Sequence, residues 1–421
     1  MTDQENSVLF LELGSTGLNR WGTTIQEKLL PNLSGAQAMK VFKEMMDDPI
    51  IGALIFAIKM LCRQVEWRVQ PGENTPEGRK AADFLESCMY DMSISWADTI
   101  SEILSMVAYG FSVHEIVYKR RLGQDNDPPS AFNDGLIGWR KLPIRAQETI
   151  IEWVFDKEGG LQGVKQLSPS GYKIVFIPIE KLLLFRTEAT KGNPMGRSLI
   201  RSAYRPWYFK KQIEVLEAIG IERDLAGLPI VWVPPNIASP KTDEERSALQ
   251  KFKDLVTKVK RDQQEGVVMP LVYDERGNKL YDFTLLTSGG RRQFDINAVI
   301  NRYNIQITQS ILADFIMLGA TATGTYALSK TKAEIFLTAL KTILDSIEAT
   351  FNNYAVPRLF KVNGWTLKYY PEIRHGDIAK ADLEEVASYL LKLAQAGFPL
   401  FPNPDLESYL LELANLPGGS T

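Results

Sequence analysis

The sequence predicts an α+β protein, and three observations carry that prediction. Apolar residues recur at helical spacing over long stretches, as Ile51, Leu54, Ile55, Ile58 and Leu61 do. Shorter runs such as Gln64-Val-Glu-Trp-Arg-Val-Gln70 alternate apolar and polar residues in the manner of a half-buried strand. At 421 residues the chain is also long for a single core, so two or more lobes are expected.

Residues 35–66 read as helix and then strand, with Pro49 suited to a first helical turn. Thr75-Pro-Glu-Gly opens another helix that runs through Ala81, Phe84 and Leu85. A third near 95–108 feeds a strand over 112–118. A loop over 123–135 follows, then short strands around 150–155, 172–177 and 182–185, separated by Gly and Pro turns. Together these form a first α+β lobe over residues 1–195.

A long helical segment spans about 198–225, aromatic and basic in its first half, with Pro206 kinking it or marking its true start. Gly227-Leu-Pro opens a small β-α-β-β module. Its parts are a strand over 228–234, a helix begun by the capping box Thr242-Asp-Glu-Glu245, and strands over 267–273 and 279–286. Leu249, Phe252, Val256 and Val259 mark the apolar face of that helix, and Asp274-Glu-Arg-Gly277 turns between the two later strands. An exit helix covers about 295–315. After an uncharged stretch, Ser329-Lys-Thr-Lys-Ala-Glu334 caps a third long helix, which Pro357 ends or bends. Two short helical stretches, 377–396 and 404–413, close the chain.

Composition narrows the function. Hydrophobic residues make up 45% and charged residues 24%, the ordinary balance of a globular protein. A net charge of -3 is not that of a protein that grips nucleic acid by neutralising phosphates. Cys62 and Cys88 read as buried reduced thiols, and the start Met1-Thr-Asp-Gln-Glu-Asn6 lacks signal-peptide character, so folding in a reducing cytoplasm is expected. The apolar run over 49–58 stops at Lys59, short of the roughly 20 residues a bilayer needs, so no membrane partner is expected.

The stretch Gly319-Ala-Thr-Ala-Thr-Gly324 has the glycine spacing of a phosphate-binding loop, but its working parts are missing. Thr325 and Tyr326 follow the second glycine where such a loop needs Lys and then Ser or Thr, and the nearest lysine is Lys330. The stretch also follows a helix rather than a strand. His114 and His375, the only histidines, have no metal-ligand spacing, and His114 reads as a packed, hydrogen-bonded residue. No Gly-x-Ser-x-Gly elbow occurs. No catalytic residue, metal or cofactor is expected. Two basic groups remain: Arg201, Arg205, Lys210 and Lys211 around Trp207 and Tyr208, and Lys251, Lys253, Lys258, Lys260 and Arg261 on the module helix. Each is either a solvated helix face or a contact for DNA or an acidic protein.

The order of these parts resembles the portal proteins of tailed double-stranded DNA phages, in the Mu-like branch. The resemblance begins at Asp48-Pro-Ile-Ile-Gly-Ala-Leu-Ile-Phe-Ala-Ile58 and Arg63-Gln-Val-Glu-Trp-Arg-Val-Gln-Pro71. It continues at Gly196-Arg-Ser-Leu-Ile-Arg-Ser-Ala-Tyr-Arg-Pro-Trp-Tyr-Phe-Lys-Lys211 and Gly220-Ile-Glu-Arg-Asp-Leu-Ala-Gly-Leu-Pro-Ile230. Ile311-Leu-Ala-Asp-Phe-Ile-Met-Leu-Gly319 and Phe351-Asn-Asn-Tyr-Ala-Val-Pro-Arg-Leu-Phe360 extend it, so that it covers residues 35–360.

The resemblance implies a portal-like division of the chain. A wing would cover 1–205 and 331–376, stem helices 206–226 and 289–314, a clip 227–288, a tunnel loop 315–330 and a short helical crown 377–421. It also implies a homo-oligomeric ring, twelve-fold in the virion, at one capsid vertex, assembled in the host cytoplasm. DNA would pass through without sequence specificity during packaging and ejection. The implied partners are the terminase large subunit, a head-completion or adaptor protein and the major capsid protein. Leu318, Gly319, Ala320, Thr321, Ala322, Thr323, Gly324 and Thr325 would form the DNA-proximal constriction. Lys251, Lys253, Lys258, Lys260 and Arg261 would face a partner of the clip. The competing readings are a DNA-processing packaging enzyme, ATPase or nuclease, and another head-tail adaptor.

Overall fold

The computed structural model describes residues 14–22, 24–27, 30–169, 171–226, 228–260, 273, 276–277, 279, 281–286, 295–311 and 326–378. From the amino end, a hairpin of β1 (Arg20–Trp21) and β2 (Thr24–Ile25) leads through a 3-10 turn to α1 (Gly35–Met46) and α2 (Pro49–Arg63). The helical stretch divides at Asp47 and Asp48 because Asp48 is an extended N-cap. Its carboxylate accepts the Ile50 and Ile51 N–H groups at 2.9 and 3.2 Å, and Pro49 occupies the first turn. The buried stripe of α2 is Ile51, Leu54, Ile55 and Ile58, completed by Cys62 rather than by Leu61.

Next come β3 (Trp67–Gln70), α3 (Pro76–Tyr90), α4 (Trp96–Ile103) and α5 (Ser105–Tyr109). Thr75 starts α3 by accepting the Gly78 N–H at 3.0 Å. The helix expected over 95–108 is broken at Leu104, and α5 stops at Gly110, whose φ is +96°. A Cβ there would lie 2.7 Å from the Met195 carbonyl oxygen, so only glycine lets the two segments touch.

Eight strands follow: β4 (Phe111–Glu115), β5 (Val117–Arg120), β6 (Ile137–Lys141), β7 (Ile144–Arg145), β8 (Ile150–Phe155), β9 (Leu161–Ser168), β10 (Lys173–Pro178) and β11 (Leu182–Arg186). They form antiparallel sheets in the orders β11-β4-β7, β10-β9-β8 and β5-β6. The strand expected over 112–118 is therefore two, β4 and β5, which pair with different partners. The loop between β5 and β6 is anchored from inside. Lys119 Nζ donates to the Asp91 and Pro129 carbonyls at 2.5 and 2.7 Å and lies 3.0 Å from the Asp91 carboxylate.

A second compact unit, Arg205–Gln306, interrupts this lobe in sequence. It contains α6 (Tyr204–Ala226), β12 (Leu228–Trp232), α7 (Pro235–Ala238), α8 (Asp243–Lys260), β13 (Asp282–Leu286) and α9 (Ile296–Ser310). Pro206 sits in the first turn of α6, where its missing N–H costs no helical bond, so it marks a start rather than a kink. β12 and β13 pair antiparallel, and Tyr273 and Lys279 form an isolated bridge across the expected turn. The strand expected over 267–273 lies almost wholly outside the described residues.

The first lobe closes with α10 (Tyr326–Thr350), a single π turn (Phe351–Ala355), α11 (Val356–Val362) and β14 (Glu372–His375), which pairs with β3. One expectation is corrected here and another is narrowed. Ser329 does not cap the long helix, which already starts at Tyr326, so Ser329 lies inside its first turn. Pro357 does not end it, because the backbone widens to a π turn just before the proline and the helix resumes to Val362.

Phe351 is fully buried in the core, 4.9 Å from the Trp96 ring and 5.3 Å from the Phe185 ring. Two asparagines brace strands from this helix. Asn352 accepts from the Ile373 N–H and donates to its carbonyl, at 2.8 and 2.9 Å. Asn363 does the same for Ile137, with both bonds at 2.8 Å. Each amide thus stands in for a neighbouring strand.

Candidate functional site

The residues that sequence reasoning singled out fall into three places. The stretch from Leu318 to Thr325 lies outside the described residues. Lys251 and Lys253 are exposed on α8, Lys258 and Lys260 lie further along the same helix, and Arg261 lies outside the described residues. Arg205, Lys210 and Lys211 stand on the first turns of α6.

The capping box of α8 is present. Thr242 Oγ1 accepts the Glu245 N–H at 3.3 Å, and the Glu245 carboxylate accepts the Thr242 and Lys241 N–H groups at 3.0 and 2.8 Å. Those backbone donors hold the Glu245 carboxyl below its ordinary pKa. Phe252 stacks on Tyr281 at 5.8 Å, which fixes the inner face of α8 and sends Lys251 and Lys253 outward. The two lysines are two residues apart, so they point in different directions around the helix. Lys251 and Lys258 share one stripe and Lys253 and Lys260 another. The charge of α8 is polarised: Asp243, Glu244 and Glu245 fill the first turn and the lysines fill the far half, as the helix dipole favours.

In the same unit, α6 and α9 carry a second cluster. Phe209 of α6 stacks on Tyr303 of α9 at 6.4 Å. Arg205 lies over the Phe209 ring at 5.9 Å and Arg302 over the Tyr303 ring at 5.1 Å. Both arginines are exposed and line a cavity of about 350 Å³ with Pro206 and Gln306. Among the described residues neither guanidinium has a carboxylate partner. Lys211 lies over Trp207 at 5.5 Å, and buried Lys210 approaches Glu214 only to 3.9 Å. Sequence reasoning missed Arg302. It is the sole charged residue of α9, which was the available signal.

α6 also leaves large apolar side chains uncovered. Val215 is 49% exposed and Leu216 65%, and Ile219 and Ile221 are exposed with them. Such a helix is amphipathic on no single face, which is the pattern of a helix buried by more than one neighbour.

Among the described residues nothing catalytic assembles elsewhere. His114 is buried and bonded on both nitrogens: Nδ1–H donates to the Leu142 carbonyl and Nε2 accepts from the Ser112 hydroxyl, each at 2.8 Å. Burial pushes its pKa down to about 4, so it is a neutral core residue. Cys62 and Cys88 are buried free thiols, pushed up by burial to about 12 and about 11. Among the described residues no group of three His, Cys, Asp or Glu side chains could hold a metal ion. Nor is any described helix long and apolar enough to cross a membrane.

Comparison with known proteins shows the family. A family profile described as "Portal protein of Mu bacteriophage" matches residues 39–409. Two of the similar solved structures are gene transfer agent particles. One, the virion of a native gene transfer agent (GTA) particle, is 11% identical at a TM-score of 0.48, over 89% of this chain and 93% of that chain. The other, the neck of an empty GTA particle computed with C6 symmetry, is 12% identical at a TM-score of 0.48, over 89% and 94%.

Proposed function

This chain belongs to the family of Mu bacteriophage portal proteins, and from that premise we propose that its copies form a closed ring at one capsid vertex through which double-stranded DNA passes. The family is structural rather than enzymatic, and the protein acts as a portal. The finer assignments belong to this reading. The lobe flanking the inserted unit is the wing, α6 and α9 are the stem pair, and residues 227–288 are the clip. The tunnel loop, expected over 315–330, ends where α10 begins at Tyr326, and 377–421 are the crown. The ring is a homo-oligomer of about twelve copies in the virion. The clip, with Lys251, Lys253, Lys258, Lys260 and Arg261, docks the terminase large subunit and then a head-completion protein, while the wing meets the major capsid protein.

One observation supports the ring beyond family membership: α6 exposes Val215, Leu216, Ile219 and Ile221 in the single chain. Burying the exposed part of each such side chain contributes about 1 kcal/mol, since each is already roughly half covered, and a helix apolar on several sides obtains that burial from neighbours. In closed cyclic symmetry every contact is heterologous, so one helix offers different faces to its two neighbours. The conduit also has to enclose DNA without holding it. Each phosphate-neutralising contact adds a salt-dependent binding increment that a ring would multiply, which suits a chain of net charge -3 and a loop without charge from Leu318 to Thr325.

Mass measurement with negative-stain imaging tests the ring. Cyclic particles with an axial channel are expected, and a strict monomer or dimer across a range of salt would refute it. For the loop, Thr323→Lys is expected to impair DNA packaging while leaving ring assembly intact; unchanged packaging removes the constriction assignment.

A further inference from the structure

We infer that Arg205 and Arg302 form a cradle for a carboxylate of a second copy of this chain, supplied by Glu214 on the neighbour's α6. The inference rests on the ring reading and names a contact that would hold the ring together.

The cradle is built. Two guanidinium groups lie over a stacked pair of rings, Phe209 and Tyr303, at the mouth of a cavity of about 350 Å³. Guanidinium forks beside aromatic faces are suited to a planar, bidentate anion. Among the described residues no carboxylate of the same chain pairs with either arginine, although arginine clusters of this kind attract one strongly. The ligand such a pair of guanidinium groups fits is an anion, and none of the described carboxylates of the same chain supplies it.

Two anions are at hand in a portal: DNA phosphate and a neighbour's carboxylate. The first conflicts with passage. A ring of arginine pairs that neutralised phosphates would release counterions at every subunit and hold the duplex fast at low salt. The second agrees with the shape of α6. Arg205 heads an exposed stripe at helical spacing that continues through Tyr208, Phe209, Val215, Leu216 and Ile219. Glu214 lies nine residues further on, about 900° around the helix at 100° per residue, on the opposite side from Arg205. A cyclic ring needs this arrangement, because one side of each subunit meets the other side of the next. The same placement prevents pairing within one chain, since nine residues also separate the two groups by about 13.5 Å along the axis. Glu214 is available: its side chain is 48% exposed, and its ion-pair contact among the described residues, with Lys210, stands at 3.9 Å.

The test uses the purified full-length chain and its variants Arg205→Glu, Arg302→Glu, Glu214→Arg and the triple charge exchange. Ring and protomer populations are read by mass photometry from low to high salt, and melting temperature serves as the folding control. Each single reversal is expected to lower the ring population about ten-fold or more at unchanged melting temperature. The triple exchange is expected to restore it, because restored pairing needs the groups to face one another. Rings as abundant in the single variants as in wild type overturn the inference. If those variants also retain less duplex DNA, the cradle binds phosphate instead. Ring loss that the triple exchange does not repair also overturns it. A wild-type chain that forms no ring under any salt is a different result, because it removes the ring reading itself.

Discussion

Phe351 and Leu216 are both large apolar residues on long helices, and they meet opposite fates. Phe351 is enclosed by Trp96 and Phe185 with no surface left in water. Leu216 is 65% exposed, among Val215 and Ile219 that are exposed as well. Charges show the extremes of the same range, although the first lobe also holds exposed pairs such as Arg63 with Asp98 at 46% and 56%. In the first lobe Lys119 and Asp91 pair with side chains only 4% and 7% exposed, whereas in the inserted unit Arg246 and Asp243 pair at 64% and 95%. The first lobe encloses a core of its own, while still exposing Phe56 at 66% and Ile174 at 63%. The inserted unit keeps on α6 a run of apolar side chains that no part of the described chain covers, the surface that the ring reading assigns to other copies.

The comparison breaks first in the core. Phe351→Ala is expected to cost about 3–5 kcal/mol of unfolding free energy, since it opens a cavity among rings that cannot collapse into it. Denaturant titration of the first-lobe transition reads it; a loss below about 1 kcal/mol would mean that this interior is loosely packed.

Asp91→Ala comes next. It leaves the Lys119 ammonium buried with two carbonyls and no counter-charge, at an expected cost of about 3–5 kcal/mol. Asp243→Ala on exposed α8 is expected to change stability by less than about 1 kcal/mol. Equal losses from the two substitutions, measured side by side, would erase the contrast between the units.

Acid sharpens it. Both histidines belong to the first lobe. His114 is held neutral with a pKa pushed to about 4 from 6.5, so between those values the unfolded chain binds the extra proton. Stability is therefore complete above about pH 6.5 and falls as pH drops towards 4, by up to about 3 kcal/mol at 1.36 kcal/mol per unit. Asp91 extends the loss further down. Burial works to raise its carboxyl, but the Ser130 hydroxyl, the Ala131 N–H and Lys119 together hold it below the ordinary carboxylate range. Its contribution is present above that range and is lost as pH falls through the lowered value. Thermal melts across pH should show the slope, and His114→Gln should flatten it between pH 6.5 and 4.

The smallest effect is the most diagnostic. Leu216→Ser is expected to change single-chain stability by less than about 0.5 kcal/mol, because the side chain is already in water. Ring yield should fall all the same. Unfolding at low protein concentration and mass photometry at high concentration separate the two, and an unchanged ring yield would place Leu216 outside any interface.

Local chemistry was legible in the sequence. Thr75 and the Thr242 capping box, Pro206 at a helix start and the apolar stripe of α2 act where they stand, through neighbours three or four residues away. What escaped notice depends on distant partners. β9 has a polar sequence and a glycine in its middle. It is a central strand because β8 and β10 flank it, and a Cβ on Gly163 would lie 2.3 Å from the Ile177 carbonyl oxygen. Ser329 looked like a cap because its sequence suits one, yet α10 starts three residues earlier. Arg302 gained meaning only when α9 brought it beside Arg205, almost a hundred positions away in the chain.

The Asn363 amide has a consequence in time rather than in energy. It completes the backbone of Ile137 from 226 residues further along the chain. At the roughly 5–20 residues per second of synthesis, about 11–45 s separate the two residues at the ribosome. Throughout that interval β6 lacks its clasp, and the whole of Arg205–Gln306 emerges within it. The unit inserted in the middle of the sequence is thus made before the lobe that flanks it in the chain can close.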